Sequence, residues 1–465
     1  MYQLEHAGNT PLYLTILFPY KYGEKPWTKK ESTQALSVRL ANIFRDTMPR
    51  WKFLQMRARR TQVQLFVNGC TGPTPNLSRI YIKLRTKPGH RASPPTLSIP
   101  FWRPAEVDLG PSVLAGFGSV LPIYCDLSVG ARVTRLAVQV PVIDLQDFIT
   151  MLSSCPNLVV LDVTGRKPGA TVTGVLGPNM VPLSHLVDLR MSYIRNPARL
   201  LGMLRLEALQ SLRVDHCDWT LSMSGVLQNI FQTCRSLTTV DMEESMLSSR
   251  ATIDPPVTGE WIVLPSVTHF RMFGDLVIYS LLWRILLPQL ITATINTYGA
   301  TSHPAPIVPI VTFPSLSSIW ITTPSLEVIS LVNAPNLTEF ALILGCHYGP
   351  PHPHHSALVR NFINTSGPAL RKLSLSGIGL GDKDIIWCLQ RLPLLEGLDI
   401  RDANMSNITL RALGVPPSYE QGDIFDVLLP RLRLASFGRC YHTTAEGFAA
   451  LAACRPAVVW TREPG

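Results

Sequence analysis

Three short stretches gather residue types that could do chemistry. Residues 346–356 read CHYGPPHPHHS and bring together Cys346, His347, His352, His354 and His355. Imidazole and thiolate are good zinc donors, so the chemistry on offer is metal binding. Pro350, Pro351 and Pro353 break any helical or strand register there, which predicts a surface loop between repeats and not a ligand cage. Asp215-His216-Cys217-Asp218 collects a nucleophile, a base and two carboxylates in a row. Neighbours on an extended chain point to opposite sides, so these residues read as a strand end and its turn, not a triad. Residues 376–384, SGIGLGDKD, offer Gly377-x-Gly379-x-Gly381 as a phosphate cradle. A dinucleotide fingerprint needs a third glycine three residues after the second, where this chain has Asp382. The glycines are expected to serve a tight turn instead. No G-x-S-x-G, H-E-x-x-H or Walker-type loop occurs. The expectation is therefore no catalytic residues, no metal and no cofactor.

What positions these stretches is a recurring phrase, x-[P or polar]-x-L-x-x-[apolar]-x-[apolar]. It begins at Thr74, Gly130, Cys155, Leu183, Leu206, Cys234, Leu264, Leu287, Phe313, Ala334, Gly367, Leu392 and Leu429. In the copy CPNLVVLDV, Leu158, Leu161 and Val163 should point inward, with Val160 and Asp162 outward, the alternation of a half-buried strand. Pro156 stands where a missing N–H costs nothing. Upstream, Leu145, Phe148, Ile149 and Leu152 recur at i, i+3, i+4 and i+7, one helical face. Each repeat is thus expected to be a helix followed by a strand. A unit of this kind cannot bury its own apolar face, but a stack of them can. The fold class expected is α/β, a curved, right-handed leucine-rich-repeat solenoid with parallel strands on the concave face and helices on the convex face. Residues 1–73 carry no recognised copy and are expected to form a basic α/β capping segment, with the irregular solenoid over 74–465. The long gap between the copies at Thr74 and Gly130 leaves room for one degenerate repeat around residues 96–100. TPSLEVISL, from Thr323, is too close to the preceding copy and predicts a short helix.

Of the 465 residues 46% are hydrophobic and 16% charged, enough for one long continuous core. The nine cysteines form no C-x-x-C pair and predict free, buried thiols in a reducing compartment, cytoplasmic or nuclear. Asn76, Asn336, Asn364, Asn404 and Asn407 stand in glycosylation sequons, but no secretion signal accompanies them. Residues 276–295 mimic a membrane span, yet Arg284 lies at the centre and the last third is a repeat strand; no span is expected. The net charge of +10 is concentrated at one end: residues 1–110 carry 17 Lys/Arg against 6 Asp/Glu. Such an imbalance suits an acidic partner, nucleic acid or an anionic surface.

The order EHAGNTPLYLTILFPY, MPRWKFLQMR, QLFVNG and TPNLSRI resembles the fungal (mushroom-type) F-box proteins with irregular leucine-rich repeats. There a phrase like "sGnaPLyLtl", then "RWkfLql" and "aPnLsri", leads into the repeats, and LLPRLRLASFGRC at residues 428–440 looks like their last repeat. The resemblance implies an intracellular protein-binding scaffold, the substrate-recognition part of an F-box-like ubiquitin-ligase subunit. In that family an F-box helix bundle precedes the "sGnaPL" segment and docks on the ligase adaptor. Seven residues precede Gly8 in this sequence, so the adaptor contact is not expected of this chain. The alternative reading is a nucleic-acid- or anionic-surface-binding protein that uses the basic N-terminal third.

Within each phrase, the residue between the last two apolar positions should face out of the sheet. That column reads Asp162, Arg190, Arg213, Asp241, Arg271, Thr294, Trp320, Ala341, Ser374 and Asp399. Asp162, Arg190, Arg213, Asp241, Arg271, Trp320 and Asp399 are the candidate binding residues for a protein partner on the concave face. Arginine and tryptophan are the types enriched at interface hot spots.

Overall fold

The computed structural model describes residues 8–18, 33–84, 96–98, 106–109, 121–123, 130–140, 142–165, 169–174, 180–220, 222–245, 261–274, 285–297, 311–323, 326–345, 353–367, 369–414, 428–440 and 442–463. The chain is mixed α/β, dominated by parallel strand pairing. It divides into two compact units, Met1–Leu237 with Glu243–Thr252, and Thr238–Met242 with Ile253–Gly465.

In the first unit a parallel ladder runs Leu12–Leu17, Trp51–Ala58, Arg79–Leu84, Glu106–Leu109, Arg135–Val140, Val160–Gly165, Asp188–Ser192 and Ser211–Cys217. Successive copies of the phrase lie in phase, with Leu189 between Leu161 and Leu212, and Met191 between Val163 and Val214. All six of these side chains are fully buried, as is Leu158, which fills the turn before its strand. The second unit has a parallel ladder of the same pattern, through His269–Gly274, Thr292–Thr297, Ser318–Thr323, Glu339–Leu344, Lys372–Ser376, Gly397–Arg401, Leu434–Gly438 and Val459–Glu463.

Helices occupy many of the connections between these strands. Leu145–Ser153 begins where Asp144 accepts hydrogen bonds from the amides of Gln146 and Asp147, and it buries Leu145, Phe148, Met151 and Leu152. A 3-10 helix, Leu326–Leu331, lies where the short helix of TPSLEVISL was expected. The uniform helix-then-strand reading needs correction. Ile262–Val263, Ile285–Leu286, Val311–Thr312 and Val332–Asn333 are short strands, paired in parallel with one another. Each stands two residues before a proline (Pro265, Pro288, Pro314 and Pro335), which holds the preceding residue extended, and most are β-branched.

Two further strands escaped the phrase. The extra repeat between Thr74 and Gly130 contributes Glu106–Leu109 to the ladder, whereas Thr96–Ser98, among the described residues, pairs with Leu121–Ile123. Val107 registers with Ile80, and the sequence has proline, not leucine, three residues before Val107. Trp51–Ala58 joins the ladder because residues 48–56, MPRWKFLQM, are the same phrase with tryptophan for leucine. Trp51 is fully buried and stacks on Phe66 of the helix Arg60–Gly69, their rings 6.2 Å apart.

Candidate functional site

The pleat that buries Leu161 and Val163 turns Asp162 outward, and the parallel register repeats that choice on every strand. In the first unit the middle outward column places Asp162, Arg190 and Arg213 on successive strands. Arg190 reaches along its own strand to Asp188 at 2.6 Å. That hydrogen bond, aided by Asp162 and Asp215 nearby, holds its guanidinium above the ordinary arginine range. Asp162 accepts from the Thr164 hydroxyl at 3.1 Å. Arg213 is half-buried, and its Nε is shielded from solvent without a hydrogen-bond partner.

In the second unit Asp241 and Arg271 form an ion pair at 3.3 Å, and the Arg271 guanidinium also lies 4.4 Å from the centre of the Phe273 ring. The register then runs Arg271, Thr294, Trp320, Ala341, Ser374 and Asp399. Asp399 accepts from Ser374 and from Arg401, both at 3.1 Å. Trp320 is 50% exposed between threonine and alanine. The structure therefore brings Asp162 beside Arg190, Arg190 beside Arg213, and Asp241 beside Arg271. It leaves Trp320 two strands beyond Arg271 and Asp399 three strands beyond Trp320. Most of the column's charges are already satisfied by neighbours. Arg213 and Trp320 stand apart: one is a cation with an unsatisfied donor, the other an indole left wet.

The described parts of the three stretches rich in chemical residue types have structural roles. Cys217 is buried, and burial pushes its thiol up to about 12, so it is no nucleophile. His216, in a left-handed conformation at φ 51, turns the other way; its Nδ1 lies 2.8 Å from Glu243 and its ring stacks on Tyr193 at 5.0 Å. Gly377 and Gly379 adopt positive φ of 72 and 70, and Gly381 caps the helix Asp382–Leu389, the tight turn expected of them. His354 and His355 are not in a loop but in the first turn of the helix Pro353–Ser366, where a leading proline is well tolerated. Cys346, His347 and His352 lie outside the described residues. Among the described residues no group of three or more His, Cys, Asp and Glu could hold a metal ion. Nor, among them, is any helix long and apolar enough to cross a membrane. Of residues 276–295, the described part forms the strand Ile285–Leu286, a turn and the start of Thr292–Thr297; Arg284 lies outside it.

No protein-family model matches the chain, and no curated protein matches it. Among solved structures it is similar to a chain of the crystal structure of the Rad7 and Elc1 complex in yeast. The likeness covers 92% of each chain at 11% identity and a TM-score of 0.29. At that score it carries no argument.

Proposed function

We propose that the chain is a protein-binding scaffold. In this reading the repeats form a leucine-rich-repeat solenoid, and the strand face is the concave recognition surface. The observation that carries it is Trp320, an indole half exposed in a column whose other members are small, hydroxylated or charged. Wetting an indole gains nothing for folding, whereas tryptophan and arginine are among the residue types enriched at interface hot spots. In this account Asp162 and Arg190 on the first unit, and Asp241, Arg271 and Asp399 on the second, are neutralised polar positions of each unit's strand face that fix register with a partner. The resemblance of the N-terminal and C-terminal phrases to F-box proteins supports a role in recognising substrates for a ubiquitin ligase. All described cysteines are free, which suits a cytoplasmic or nuclear setting. The test is affinity capture from native lysate with Trp320→Ala and, separately, Arg213→Ala. The reading expects folded variants that lose a partner held by the unaltered chain. Variants that fold and keep every partner would move recognition off this face.

A further inference from the structure

The face of the first three ladder strands combines basic side chains with aromatic rings. Leu12–Leu17, Trp51–Ala58 and Arg79–Leu84 contain no Asp or Glu. Their register sets Tyr13 beside Phe53, Phe53 beside Arg79, and Arg57 beside Lys83. Like charges directly across a strand pair repel. Elsewhere on the sheet, Lys372 meets Glu339 at 2.6 Å, Arg371 meets Glu396 at 3.0 Å and Arg271 meets Asp241 at 3.3 Å. Here Arg57 and Lys83 have no such counterion among the described residues, and Arg57 Nε is shielded from water without a hydrogen-bond partner. Burial, and then the Arg57 charge, lower the Lys83 ammonium below the ordinary lysine range.

Three rings share this outward face. Tyr13 is 70% exposed, and Phe53 and Tyr81 are half-buried. Tyr81 and Lys83 stand on one strand two residues, about 7 Å, apart, and neighbouring strands are about 4.8 Å apart. Rings and cations thus lie close together over a few strands, with Tyr13, Phe53 and Arg79 in one row, Arg57 and Lys83 in another, and Tyr81 between Arg79 and Lys83 on its own strand. The strand Glu106–Leu109 pairs next to Arg79–Leu84, with Glu106 in register with Arg79 and Asp108 with Tyr81.

We propose that this sheet face binds single-stranded nucleic acid, bases stacking on Tyr13 and Phe53 and phosphates meeting Arg57 and Lys83. An acidic peptide would satisfy the cations but has no flat groups for the rings. A duplex would offer phosphates but keep its bases stacked inside. A single strand uses both, as sheet platforms that bind single strands do. This activity is independent of the protein-binding column and does not rest on it.

The experiment is fluorescence anisotropy of a labelled uridylate dodecamer with the full chain. Saturable binding is expected, weakening about sevenfold between about 50 and about 200 mM salt, as two phosphate contacts require. Tyr13→Ala, at an exposed position that leaves the core intact, should weaken it about tenfold, the effect of losing one stacked base. Arg57→Gln with Lys83→Gln should remove the salt dependence. An oligoglutamate of equal length and a duplex RNA should bind more weakly, with no response to Tyr13→Ala. The proposal is overturned by absence of saturable binding at low salt, by oligoglutamate or duplex binding as tightly as the single strand, or by a folded Tyr13→Ala protein with unchanged affinity.

Discussion

Replacing Asp382 with alanine should unfasten two neighbouring repeats at once. Asp382 opens the helix Asp382–Leu389, where a carboxylate is favoured by the helix dipole. Its oxygens also accept from the next repeat: the Ser406 amide at 2.9 Å and hydroxyl at 2.6 Å, and the Thr409 amide at 3.2 Å and hydroxyl at 2.5 Å. The helix Asn407–Gly414 therefore receives its N-terminal cap from the repeat before it. Losing a cap costs about 1 kcal/mol. Thr409 is fully buried, so its stranded hydroxyl adds about 1–3 kcal/mol, whereas Ser406 can turn to water. We expect a total of about 2–4 kcal/mol at neutral pH. Burial alone would raise the Asp382 carboxyl, but the four hydrogen bonds prevail and hold it below the ordinary carboxylate range. A depressed folded value means the stabilisation is complete above the unfolded value, near pH ~3.9, and is lost as pH falls through the lower folded value. Urea denaturation followed by circular dichroism, for the parent and Asp382→Ala across that range, measures both effects. A cost under about 1 kcal/mol at neutral pH, or a gap between the proteins that stays constant into acid, would refute the reasoning.

The inward face should tolerate little: Leu161→Ala or Leu398→Ala should cost about 2–5 kcal/mol, read as a lowered melting temperature, since both side chains are buried. Gly165→Ala should cost about 3 kcal/mol or more in the same assay, because a Cβ there would lie 1.7 Å from the Tyr193 carbonyl oxygen, a backbone atom that cannot yield cheaply. Burial pushes the Cys155 thiol up to about 11 and those of Cys217 and Cys388 up to about 12, so they stay protonated at mildly alkaline pH. In the native protein they should resist iodoacetamide under conditions that label the exposed Cys454, and react only after denaturation.

The strand face was legible in the sequence wherever leucine held its place, because a period of two can bury only one side. The phrase located the strands carrying Asp162, Arg190, Arg213, Asp241, Arg271, Trp320 and Asp399 in their observed order. It failed where another residue fills the leucine's hole. Trp51 does so with a larger ring, and the sequence leading to Glu106–Leu109 has no leucine three residues before Val107, so both strands passed unnoticed. With Trp51–Ala58 unseen, the pairing of Arg57 with Lys83 could not be read either, although the excess of basic residues was plain. The connections were less legible than the strands. A two-residue strand such as Ile262–Val263 leaves no periodicity, and the proline after it is the sole local cue. Ion pairs within the column, Arg190 with Asp188 and Asp399 with Arg401, join side chains two residues apart on one strand. Spacing permits such a pair but does not distinguish it from two charges facing solvent.

The claim that the outward column carries recognition is tested most directly by oxidative footprinting of the chain alone and in complex with a captured partner. Trp320 and Trp261 are comparably exposed, 50% and 41%, but only Trp320 lies in the column. The account predicts that oxidation of Trp320 falls severalfold in the complex while that of Trp261 is unchanged. Equal oxidation of Trp320 with and without the partner would contradict it.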